Sequence, residues 1–181
     1  IAGYSAAIKL NTFAITSFST LGNAMSSYTA QNTGARKLLR IPEGLKAGIV
    51  MLIVVSLPFF IAYFVFPNTM MNIFVKSSET GIIDVGRIFL KIVTPFYFVI
   101  SVKLVLDGIL RGASMMKAFM VATFTDLLLR VVLAAVLSRT ALGSAGIWCA
   151  WPVGWCAATA ISGMFYRKGV WHQEDEKIRK K

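Results

Sequence analysis

KIVTPFYFVISVKLVLDGILRGASMMKAFMVATFTDLLLR, residues 91–130, is the stretch that decides the fold of this chain. It predicts two long apolar helices joined by a short basic turn at Arg111–Lys117. Ionisable residues nevertheless lie inside the apolar segments: Lys103, Asp107, Asp126 and Arg130. A charge at the centre of a membrane helix costs roughly 2.5–3.5 kcal/mol on insertion scales. These residues are therefore expected either to pair with one another or to take part in function.

The composition of the chain excludes an ordinary soluble domain. Its 181 residues are 56% hydrophobic, and its mean hydropathy is +0.68. A soluble domain of this length cannot bury so much apolar surface, so we predict a polytopic membrane protein in contact with the lipid bilayer. The net charge of +11 comes from basic residues in short loops and the tail, and a nucleic-acid partner is not expected. No phosphate-binding loop, metal-ligand cluster or nucleophile–base pair occurs, so we expect no enzyme, catalytic residue, metal or cofactor.

The fold class that this pattern predicts is all-α, with five transmembrane helices followed by a polar tail. A transmembrane lobe at 1–166 would contain helices at about 4–30, 45–66, 87–110, 117–138 and 145–166, and residues 167–181 would form the tail. Three prolines lie inside these segments and predict kinks: Pro58, Pro95 and Pro152.

Basic residues are distributed unevenly between the two predicted sides of the membrane. Residues 31–46 hold four Lys and Arg, 111–117 hold two and the tail holds six, against three in the opposite loops. Cytoplasmic loops carry such an excess, so the C-terminus is predicted to be cytoplasmic. Trp148, Trp151 and Trp155 share one face of the last helix, where indoles are expected at the membrane interface.

The first predicted helix is unusually polar for a membrane span. It is rich in small, hydroxylated and amide residues, which suit either close helix packing or the lining of an aqueous cavity. Both interpretations stay open, and they can hold on different faces. Asn11, Thr12 and Ser19 are the polar cavity candidates on this helix.

Several short motifs occur in the order and spacing of one transporter family. They are Gln31–Ala35, Pro95–Tyr97, Gly108–Ala113, Asp126 with Arg130, Gly146–Trp148, and Trp151 with Pro152 and Trp155. The chain resembles the C-terminal half of a multidrug and toxic compound extrusion (MATE) transporter. The resemblance implies two six-helix lobes, of which this chain would supply the eighth to twelfth helices. The chain would then be a fragment, with the N-terminal lobe and seventh helix of the same transporter preceding it.

The resemblance also implies an activity. Such transporters are antiporters that exchange sodium ions or protons for amphiphilic, often cationic, drugs and other xenobiotics by alternating access. A multi-pass protein of the plasma (cytoplasmic) membrane, of bacterial origin, is expected. Some members carry an acidic residue about three turns before the Leu-Arg-Gly turn, where this chain has only Phe96–Ile100. The coupling cation is therefore not expected to be bound by this chain alone.

The buried charges are spaced for pairing along their helices. Lys103, Asp107 and Arg111 lie four residues apart, as do Asp126 and Arg130. The spacing favours ion pairs that make insertion less costly. A gate or proton-sensitive latch at one of the aspartates stays open as the alternative.

Aromatic and flexible apolar residues complete the cavity candidates. Phe96 and Tyr97 could stack on a flat cationic ring, and Met25 could give the first helix an adaptable wall. Packing and lipid contact are the alternatives for all three. Two other functions stay open: a flippase for lipid-linked sugars, which needs several cavity-facing arginines, and a scaffold or accessory subunit that transports nothing.

Overall fold

The computed structural model describes residues 2–74, 80–140, 143–169 and 171, which are mostly helical and contain no β-strand. In chain order the α-helices are α1 (Ala2–Gly34), α2 (Arg40–Phe60), α3 (Pro67–Phe74), α4 (Thr80–Val93), α5 (Tyr97–Gly112), α6 (Met116–Leu137) and α7 (Gly143–Arg167). The predicted all-α class is confirmed. Most of the predicted tail, including residues 172–181, lies outside the described part of the chain.

Three helical segments of the described residues are long and apolar enough to cross a membrane. They are Arg40–Val65, Ile83–Gly112 and Met116–Leu137. A helix also covers the predicted ranges 4–30 and 145–166, as α1 and α7. The chain is thus a multi-pass helical membrane protein, whereas the count of five spans stays a prediction.

Two of the three interior prolines coincide with changes of helix type. Pro58 lies near the end of α2, and a π-helical segment, Ile61–Val65, follows it. Pro95 lies in a 3₁₀ turn, Thr94–Phe96, that separates α4 from α5. Proline lacks a backbone N–H and crowds the preceding turn, which explains the break at Pro95, whereas the π-helical segment lies after Pro58 rather than before it.

Helix α5 is the centre of the bundle. All residues from Val105 to Leu110 are buried. Close approach to α1 depends on glycine, because a Cβ on Gly22 would lie 2.7 Å from the carbonyl oxygen of Leu104. Small residues permit this kind of backbone contact between membrane helices.

Helix α6 differs sharply from α5, although the two adjoin in sequence. Its outward side chains, such as Phe124, Leu128 and Val131, are exposed. Its inward face packs mainly on α7, where a Cβ on Gly146 would lie 2.6 Å from the carbonyl oxygen of Leu137. Asp126 is one of its few buried residues. The polar side of α6 therefore faces the bundle and its apolar side faces outward.

The turns after α1 and α5 share one geometry. Lys37 N–H bonds the carbonyl of Asn32 at 2.8 Å, and Met115 N–H bonds the carbonyl of Leu110 at 2.8 Å. These bonds define Schellman caps, in which one residue takes a left-handed conformation. That residue is Arg36 (φ 55°) after α1 and Ser114 (φ 61°) after α5, although a glycine stands two residues before each.

Candidate functional site

A cavity of about 310 Å³ lies among α1, α5, α6 and α7. Apolar side chains complete a wall whose polar and aromatic members are Asn11, Thr12, Thr16, Lys103, Asp126, Arg130, Trp151 and Trp155. The cavity thus combines amide, hydroxyl, charged and indole groups within an apolar bundle. Polar lining of this kind in a membrane helix bundle marks a wet or ligand-binding space.

An ion pair on α6 forms one wall of the cavity. Arg130 Nε donates to Asp126 Oδ1 at 3.3 Å, and a terminal guanidinium nitrogen donates to Oδ2 of the same carboxylate. The guanidinium carbon also lies 5.1 Å from the ring centroid of Trp151 on α7. Arg130 is therefore held both by a carboxylate and by an aromatic face.

A glycine on α7 makes room for this pair. A Cβ on Gly154 would lie 2.5 Å from Oδ1 of Asp126 and 3.4 Å from Cγ of Arg130. Carbon cannot approach an oxygen so closely, so any larger residue would push the carboxylate away. Gly154 thus allows Asp126 to lie directly against the backbone of α7.

A second ion pair lies on α5. Lys103 Nζ is 2.5 Å from Asp107 Oδ2, and the other carboxylate oxygen accepts a 2.7 Å hydrogen bond from Ser162 Oγ of α7. The side chains of Lys103 and Asp107 are only 7% and 3% exposed. Lys103 reaches the cavity, whereas Asp107 lies behind it and does not line the space. The charges of the two pairs cancel within the bundle.

Arg111, the third member of the four-residue series, has other partners. Its guanidinium donates to Asn23 Oδ1 at 3.1 Å and lies 5.4 Å from the ring centroid of Phe119. Of the two basic neighbours that the spacing offered to Asp107, the structure therefore pairs it with Lys103. Arg111 instead joins α1, α5 and α6 near the turn.

The cavity candidates of α1 and α5 occupy different positions. Asn11 and Thr12 line the cavity. Tyr97 is completely buried: its hydroxyl donates to Asn11 Oδ1 at 3.1 Å, and its ring packs edge-on against Phe18 and Tyr63. Its ring is therefore not available to stack on a ligand in this conformation. Tyr97 instead positions the Asn11 amide.

The other three apolar or hydroxyl candidates do not line the cavity either. Ser19 donates to the carbonyl of Thr16 at 2.8 Å. The sulfur of Met25 would lie 3.1 Å from a Cβ on Gly48, so Met25 fills the contact between α1 and α2. Phe96 is half-buried in the 3₁₀ turn and packs on the core. Packing between helices explains Met25 and Phe96, whereas Ser19 bonds the backbone of its own helix.

The polar and aromatic cavity residues that the sequence analysis did not name as candidates are Thr16, Trp151 and Trp155. The structure buries Trp148 and Trp155 against neighbouring helices, and their location at the membrane interface stays a prediction. Trp151 and Trp155 line the cavity, with their ring centroids 6.0 Å apart and the planes nearly perpendicular. A usable signal was the arginine of α6, since an indole face is its preferred neighbour in an apolar setting.

These observations define a class: a multi-pass helical membrane protein with a polar, aromatic cavity among its helices. The MatE family model matches residues 1–136, which includes all of the chain from α1 nearly to the end of α6. The chain therefore belongs to the MatE family, whose members are efflux transporters for drugs and toxic compounds. No curated protein and no solved structure matches the chain.

Proposed function

We propose that this chain is part of a cation-coupled antiporter that exports amphiphilic, often cationic, compounds by alternating access. The observation that carries the proposal is the cavity among α1, α5, α6 and α7, with its indole rings, polar α1 face and internally neutralised charges. Aromatic faces attract organic cations, and paired charges leave the space without a net positive field. Sodium ions or protons are the proposed coupling cations, bound outside this chain.

The pairing of the basic groups favours drug export over the transport of lipid-linked sugars. Lys103 and Arg130 are the basic residues that line the described cavity, and each has a carboxylate partner. A pyrophosphate headgroup needs several free cationic donors. The described cavity wall offers it none without breaking an ion pair.

We further propose that a second lobe and one further helix complete the transporter. Support comes from the resemblance to two-lobed transporters and from the exposed apolar side chains of α6, which need lipid or protein around them. The proposed location is a bacterial plasma membrane with the C-terminus in the cytoplasm, in keeping with the excess of Lys and Arg on that side.

Expression of the full-length protein in a drug-sensitive host tests the proposal. We expect raised resistance to cationic drugs and faster efflux of a cationic dye, lost when the sodium or proton gradient is dissipated. Thr12→Leu, which fills the cavity, should reduce efflux, whereas Thr125→Leu on the outer face of α6 is the matched control.

Two results would overturn the proposal. Unchanged resistance and efflux at normal membrane levels would favour a scaffold or accessory subunit. Translocation of lipid-linked sugars in proteoliposomes, without any effect on dye efflux, would favour the flippase.

A further inference from the structure

Arg130 contacts two groups that would suit a cationic ligand, the indole of Trp151 and the carboxylate of Asp126. Its guanidinium lies 5.1 Å from the centroid of Trp151, and it is paired with both oxygens of Asp126. A cation over an indole face, with a carboxylate beside it, is one arrangement in which proteins bind organic cations. Here the occupant of that arrangement is a side chain of the protein itself.

The two members of this ion pair differ in freedom to move. The side chain of Arg130 is 28% exposed, whereas that of Asp126 is 8% exposed. Asp126 is also confined by the backbone of α7 at Gly154. The arginine can therefore swing away while the carboxylate remains at the cavity wall.

The charge of the cavity changes when Arg130 moves away. Lys103 remains neutralised by Asp107, which is held in turn by Ser162. The carboxylate of Asp126 is then left without its partner, so the cavity gains one net negative charge. An unpaired buried carboxylate is costly, and a cation that enters the cavity relieves that cost.

We propose that Trp151 and Asp126 form a subsite for planar organic cations, and that Arg130 is an intramolecular substitute which the ligand displaces. The proposal rests on the proposed function and names its substrate class: flat aromatic or guanidinium-like cations. Selectivity follows from shape, because a planar cation can contact the indole face and the carboxylate together. A tetrahedral cation of equal charge cannot lie flat on the indole.

Binding to the purified full-length protein tests this subsite. The probes are ethidium, which is a planar aromatic cation, and tetraphenylphosphonium, which is an aromatic cation that is not planar. Arg130→Met removes the internal competitor and should tighten ethidium binding about tenfold, with a much smaller effect on tetraphenylphosphonium. Arg139→Met, an exposed arginine just after α6, is the matched control and should change neither affinity.

A second substitution makes the result specific to the stacking surface. Trp151→Leu should weaken ethidium binding, and in its background Arg130→Met should no longer tighten ethidium more than tetraphenylphosphonium. Arg130→Lys keeps a cation near Asp126 without a planar group, so it should change ethidium affinity in the same direction, by less. Arg130→Lys replaces Arg130→Met as the test if the methionine variant does not fold.

The outcomes separate this inference from the proposed function. Unchanged or weaker ethidium binding in folded Arg130 variants would overturn the subsite, whether or not the protein transports drugs. If the affinities change as expected but the wild-type protein moves no dye, the proposed function fails and the subsite stands.

Discussion

The Lys103–Asp107 pair allows the sharpest test of how this bundle tolerates charge. Lys103→Met keeps the length and apolar character of the side chain but removes the cation 2.5 Å from Asp107 Oδ2. Asp107 then keeps only the hydrogen bond from Ser162. Removing one partner of a buried ion pair costs about 3–5 kcal/mol, because the other charge is left uncompensated. We expect the free energy of unfolding to fall by that amount.

Substitution of the other partner, Asp107, should be less destabilising. Asp107→Asn leaves Lys103 without its partner, but Lys103 lines the cavity and its ammonium can reach water there. The asparagine oxygen can still accept from Ser162. We expect the free energy of unfolding to fall by about 1–3 kcal/mol. The loss in the double variant should be about 2 kcal/mol smaller than the sum of the two single losses.

Reversible unfolding in mixed detergent, followed by far-ultraviolet circular dichroism, measures these differences. The matched control is Arg87→Met, because Arg87 and Asp84 form a 2.8 Å ion pair whose side chains are 40% and 50% exposed. That loss should stay below about 1 kcal/mol. Equal losses for Lys103→Met and Arg87→Met would refute the argument from burial. Loss of transport in Asp107→Asn at normal yield would reject a purely structural role for the pair.

Three further predictions follow from single contacts. Gly154→Ala should displace the Asp126 carboxylate and lower the midpoint of thermal unfolding by the equivalent of about 1–3 kcal/mol; an unchanged midpoint would show that α7 moves away freely. Ser114→Gly relieves a left-handed residue at φ 61° and should raise stability by about 0.5 kcal/mol, measured by the same melting assay. Tyr97→Phe removes the donor to Asn11 and should cost about 1 kcal/mol while altering the ranking of dyes in an efflux assay. An unaltered ranking of dyes would argue against contact between Asn11 and the substrate.

The helices were largely predictable because their signals are local. Apolar length and turn residues located a helix in each of the five predicted ranges, and Pro95 marked the break before α5. The predicted helix ends were less accurate: α1 continues to Gly34, whereas the predicted helix ended at about residue 30. The left-handed residue of each Schellman cap was also not predictable, since it is Arg36 or Ser114 rather than the nearby glycine. Cap geometry depends on how the next segment packs, which local composition does not encode.

The candidate site was predictable where contacts stay within one helix. A spacing of four residues indicated both ion pairs, because side chains at that spacing meet on a helix surface. Contacts between helices were not predictable in this way. Tyr97 turns toward Asn11 of α1, and Trp151 turns toward Arg130 of α6, since the rotation of each helix is set by its neighbours. Periodicity identifies a face but not the helix that it meets.

The two ion pairs have the same spacing and similar chemistry, yet their surroundings suit them to different tasks. Asp107 and Lys103 are both nearly inaccessible, and Ser162 of α7 holds the carboxylate from the other side. Separation of that pair would leave the Asp107 carboxylate, which does not line the cavity, with the Ser162 hydroxyl as its hydrogen-bond partner. Asp126 is equally confined, but its partner Arg130 is partly exposed and lies on an indole that faces the cavity. Only the second pair can exchange its cation for another without exposing a carboxylate to apolar surroundings. From this difference in access we expect the Lys103–Asp107 pair to be structural, and we propose the Asp126–Arg130 pair as the binding site.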